Sequence, residues 1–125
     1  MSVTTEVAMD SIGDLADRLP PPGTFDVTIE VVGIDLGDQV EAQKLPWHAL
    51  IYDVSSRTIE ISVGGRDHTA PVVLRHEIHN PARVWVEDDF GSVRAISVEA
   101  GDGVQTIVRF HVRPALRMGQ EELSP

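Results

Sequence analysis

Three histidines crowd one stretch of this chain, His68, His76 and His79, and two more, His48 and His111, lie in segments that a fold could bring near them. Imidazole beside a carboxylate such as Glu77 is a donor set that zinc favours, and three protein ligands plus water make a catalytic zinc centre. The spacing argues against that chemistry. His76-Glu77-Ile78-His79 is not the helical His-Glu-x-x-His motif, and it lies in a segment that reads as a strand, where alternation sends His76 and His79 to opposite faces. No metal ligand and no cofactor is assigned. His76 shares its parity with Val72, Leu74 and Ile78, so its ring should point to the apolar side and need a hydrogen-bond partner. A core-edge histidine bonded to a carbonyl or carboxylate is the plain expectation; a ligand-contacting group in a pocket, with Glu77 or Tyr52 assisting, is the functional one.

Other catalytic constellations are missing. A serine or threonine nucleophile needs an oriented base, and the chain has no Gly-x-Ser-x-Gly elbow. Gly64-Gly65 and Gly101-Asp102-Gly103 read as hairpin turns, since neither opens a helix as a phosphate-binding loop does. The carboxylate pairs Asp88-Asp89 and Glu121-Glu122 fit solvated turns, and no calcium loop surrounds them. Twenty Asp and Glu against ten Lys and Arg set the formal net charge at −10, which repels nucleic-acid phosphates and anionic lipid. Without cysteine there is no disulfide, thiolate nucleophile or cysteine-bound zinc, as suits a reducing compartment. The N-terminal residues lack the basic and apolar regions of an export signal, and no run has the apolar length of a membrane span. The expectation is a cytoplasmic protein.

The elements that would position these residues are mostly strands. Met9, Ile12, Leu15, Ala16 and Leu19 recur at helical spacing, with Asp10 or Ser11 to cap and Pro20 to Pro22 to stop, which predicts a helix over 8–19 and a proline-rich link over 20–24. From Phe25 the period becomes two, and turn signals divide the rest into strands near 25–32, 39–44, 47–54, 58–63, 70–78, 83–88, 93–99 and 104–112. The links are too short for crossover helices, so neighbours should be antiparallel. The fold class is mainly β: an N-terminal helix, then an antiparallel meander of about eight short strands forming a small barrel or a two-layer sheet. Residues 1–113 make one domain, and 114–125 read as a flexible tail.

Two surfaces stand out for contact with other molecules. Arg109 and His111, with Arg113, form a small basic stripe on the last strand, which either receives an acidic partner or simply solvates a sheet edge. Trp85 falls opposite in parity to Val84 and Val86, so it either stands on the outer face or packs under the helix, while Trp47, Tyr52 and Phe90 are the other large anchors. Binding to a partner protein or to a second copy of the chain is the leading expectation, with Trp47, His76, Glu77, Trp85, Arg109 and His111 as candidate contacts. The alternative is a small-molecule or metal-binding protein, or an enzyme, with its pocket near His76.

One set of short motifs carries a resemblance. Gly37-Asp38-Gln39-Val40-Glu41-Ala42 closed by Leu45-Pro46, then His76-Glu77-Ile78 before Pro81, then Ile96, Asp102-Gly103, Ile107 and Phe110, resembles a family of short bacterial proteins classed as a domain of unknown function. The resemblance spans most of the residues from Phe25 to Phe110 and implies a shape without an activity, since no catalytic residues come with it. The chain departs from the pattern at its opening helix, where the family has aromatic residues, and at Trp47-His48, where aliphatic residues are commoner.

Overall fold

In a computed structural model the chain is described at residues 2–33, 37–64 and 72–112. Eight strands run through it: β1 (Ser2–Val7), β2 (Phe25–Gly33), β3 (Gly37–Asp53), β4 (Thr58–Val63), β5 (Leu74–His79), β6 (Pro81–Asp89), β7 (Ser92–Ala100) and β8 (Gln105–Val112). One short helix, α1 (Ile12–Arg18), follows a 3₁₀ turn at Met9–Ser11. It is shorter than the periodicity suggests: residues 9–11 wind as the 3₁₀ turn, Ser11 precedes α1 without a side-chain cap, and Pro20 holds Leu19 in extended backbone at φ −76°, ψ 157°. The tail read at 114–125, His68, and the first residues of the strand read at 70–78 lie outside the described residues.

All ladders are antiparallel, and the strand order in the single sheet is β1-β6-β7-β8-β2-β3-β4-β5. This is two hairpin runs, β2 to β5 and β6 to β8, joined where β2 pairs with β8 from Phe25↔Val112 to Val32↔Gln105. It is therefore not one sequential meander. Nor is it a closed barrel: no ladder joins β1 to β5 among the described residues, and these two strands are its edges. The run Ser2–Val7, rich in β-branched residues, adds a strand against β6 that the sequence reading passed over.

β3 merges two expected strands. Its first half pairs with β2 as far as Asp26↔Pro46, and its second half pairs with β4 from Trp47↔Val63. Pro46 can lack an N–H here because the ladder changes partner at this residue, while its carbonyl accepts from the Gly64 N–H at 2.7 Å. Lys44 just before it takes φ 52°, turning the strand through a corner. The β3–β5 arm thereby folds back over the rest, and Asn80 alone, at φ 53°, links β5 at one edge to β6, the strand next to the other edge.

One apolar cluster fills the space between. It takes Val27 and Ile29 from β2, Ile59, Ile61 and Val63 from β4, Val84 and Val86 from β6, Ile96 and Val98 from β7, and Val108 and Phe110 from β8. α1 plugs it with Ile12 and Leu15, both essentially buried. Trp47 lies at its heart, 1% exposed, with its ring edge against Phe110 at 4.9 Å and its Nε1–H donating to the Pro20 carbonyl at 3.1 Å. That bond ties the proline link to the core.

Candidate functional site

The six strands β1, β6, β7, β8, β2 and the first half of β3 present one face to the core and one outward. Pleating places cross-strand neighbours on the same face, so the registers Glu6↔Trp85, Trp85↔Ser97, Ser97↔Ile107 and Glu30↔Ile107 define a row across the outer face. A second row runs Thr4, Glu87, Ala95, Arg109 and Thr28. α1 packs on the opposite, inner side, so Trp85 is not beneath it. Between the rows lies a hollow of about 180 Å³ lined by Trp85, Ala95, Ser97 and Ile107 with Thr4, Glu87 and Arg109. Trp85 is half-buried, its indole contributing one wall.

The basic stripe changes character in three dimensions. β8 lies between β7 and β2, so it is a central strand, and the reading of a solvated sheet edge is corrected. Arg109 forms an ion pair with Glu30 on β2, and His111 Nε2 sits 2.9 Å from Thr28 Oγ1 on the same strand. Glu6 lies across from Trp85 and Glu87 lines its hollow, while Glu30 is already paired to Arg109. Trp47, by contrast, is so deeply buried that it leaves a partner no ring surface.

A second site lies between the two arms. β5 alternates as its sequence implies, with His76 turned to the side of the buried Ile78, and Glu77 and His79 outward. His76 Nε2 is hydrogen-bonded to Thr106 Oγ1 at 3.2 Å, so the partner this ring needs is a threonine of β8. Together they line a cleft of about 190 Å³ with Asp102, Val31 and Val104. Desolvation lowers the His76 pKa below its ordinary value, against a weaker opposite pull from Glu41, so the ring is held neutral. On the outer side of β5, Glu77 faces Glu60 directly across the ladder, with Arg75 3.9 Å from Glu60 and His79 3.7 Å from Glu77. Among the described residues no three His, Asp or Glu side chains gather to hold a metal ion.

A bent antiparallel sheet with a small plugging helix, and a groove beside Trp85 on its outer face, defines a class: a mainly β scaffold. The chain belongs to DUF5335, a family of unknown function, whose profile matches residues 3–118. It is also similar to an uncharacterized protein of Aquifex aeolicus (strain VF5), 31% identical over 103 residues covering 82% of each chain. No solved structure matches it. No helix among the described residues is long and apolar enough to cross a membrane.

Proposed function

We propose that this chain is a cytoplasmic, non-enzymatic binding module whose outer sheet face, centred on Trp85, docks another protein. The observation that carries this reading is the groove beside Trp85. A large aromatic held on a sheet face away from the core, next to Ala95 and Ile107, is the kind of anchor that dominates protein interfaces. The carboxylates around it favour a partner that offers an aliphatic or aromatic side chain flanked by Lys or Arg, since steering follows charge complementarity. Affinity capture of the tagged protein from the soluble extract of its source cells tests this, with Trp85→Ala as control: the expected result is a near-stoichiometric partner that the variant fails to retain.

A second reading rests on the His76 cleft. A neutral, half-buried imidazole beside the Thr106 hydroxyl could receive a small polar molecule. If His76→Ala leaves every ligand-induced thermal shift unchanged, that reading is withdrawn.

A further inference from the structure

Phe90 sits at the tip of the β6–β7 hairpin, 91% exposed, with φ 53°; Gly91 beside it has φ 82°. Consecutive positive φ values are what a tight hairpin turn demands, and Asn, Asp or Gly normally meets that demand. A bulky phenylalanine in the left-handed region is an outlier, and among the described residues its ring gains almost no packing. The position combines backbone strain with an aromatic ring left in water. The hairpin accounts for the backbone conformation, but not for an aromatic ring left in water, and that ring is free for a contact outside the chain.

The chain also carries a receptacle of matching chemistry. The proline link, the end of α1 and the corner of β3 enclose an open hollow of about 280 Å³ walled by Ala16, Leu19, Pro21, Pro22 and Leu50. A cavity of about 150 Å³ already accepts benzene, so a phenyl ring has room. Among the described residues its lining contains no carboxylate, in a chain with twenty of them, and one titratable group, His48. The other hollows beside Trp85, His76 and Ile51 each include Asp or Glu. Phe90 is preceded by Asp88 and Asp89, so the hollow is the one of these four that does not set carboxylates against the knob's own.

Both features lie toward one end of the sheet. The hairpin tip follows Asp89↔Ser92, while the proline link runs directly into Phe25, which pairs with Val112 at the matching end of β8, and Asp26 pairs with Pro46. A two-fold axis at that end would let each copy give its Phe90 to the other, closing the assembly as a dimer.

We propose that two copies of this chain form a symmetric dimer in which Phe90 of each inserts into the Pro21-Pro22-Leu50 hollow of the other. This surface is separate from the Trp85 face, so either proposal can fail without the other.

Sedimentation velocity on the purified full chain decides it. The wild type should dimerise with concentration, while Phe90→Asn and Pro22→Glu should each weaken association by about tenfold or more, as loss of a central aromatic anchor does. Asparagine suits the positive φ, so Phe90→Asn should fold at least as well as wild type, and loss of dimer in it cannot be laid to misfolding. Mixing the two variants restores one intact knob and one intact hollow in a mixed pair, so a heterodimer weaker than the wild-type dimer should appear. A wild type that stays monomeric up to about 1 mM overturns the proposal. So does a dimer that keeps its affinity in Phe90→Asn, or a mixture that forms no heterodimer when the wild type dimerises.

Discussion

Replacing Trp47 with phenylalanine should cost the fold about 2.5–3 kcal/mol, and the sum can be worked from its contacts. Trp47 is 1% exposed, so trimming indole to phenyl withdraws roughly 40 Å² of apolar burial, worth about 1 kcal/mol at ~25 cal/mol per Å². The space left beside Phe110 adds about 1 kcal/mol if the surrounding strands do not collapse into it. Losing the Nε1–H bond to the Pro20 carbonyl adds about 0.5–1 kcal/mol, at the low end because water can reach that oxygen through the adjoining hollow. For a chain of 125 residues this lowers Tm by roughly 10 °C. Trp85→Phe, on the outer face, should change stability by less than about 0.5 kcal/mol. Urea denaturation followed by far-ultraviolet circular dichroism measures both. Fluorescence gives an independent check, since the emission left in Trp85→Phe should be that of a ring shielded from water. Equal losses in the two variants, or a larger loss in Trp85→Phe, would refute the placement of the two tryptophans on which both the core and the docking face depend.

Two further outcomes follow from the arms of the sheet. Gly64 holds φ +99°, and a Cβ there would stand 2.4 Å from Val73 Cβ, so Gly64→Ala should destabilise by about 2–4 kcal/mol in thermal unfolding. A much smaller loss would contradict the close approach of Gly64 to Val73. Because burial depresses the His76 pKa in the folded state, its contribution to stability is fully present above the unfolded value of about 6.5 and is lost as pH falls through the folded pKa. Unfolding measured between about pH 7.5 and 5 should therefore show a decline in wild type that His76→Gln reduces, and identical profiles would contradict the assignment.

How far the sequence carried depends on the range of the interaction concerned. Parity along a strand is local, and it correctly separated Val84 and Val86 from Trp85, and Thr106, Val108 and Phe110 from Arg109 and His111. Turn chemistry is local too, and Asn80 and Gly91 end elements where expected. Pairing is not local. Nothing between residues 30 and 109 announces that Glu30 will meet Arg109, or that β8 will sit inside the sheet beside β2 and not at its edge. Pro46 read as a strand break because a proline removes a ladder donor, yet the ladder changes sides at that residue and the strand continues. The partner of His76 was legible as a need and not as an identity, since Thr106 lies thirty residues away. Ser2–Val7 carried a strand signal in its β-branched residues that the helix after it obscured. Phe90 was visible as a large residue near a turn, but its exposure and positive φ belong to three dimensions.

The most direct test of the binding-module account is capture of the tagged native chain from its source cells beside Trp85→Ala. The account predicts a near-stoichiometric second protein that co-purifies with the wild type and is lost from the variant. Recovery of the wild type with no second protein, or equal recovery of that protein with Trp85→Ala, would contradict it.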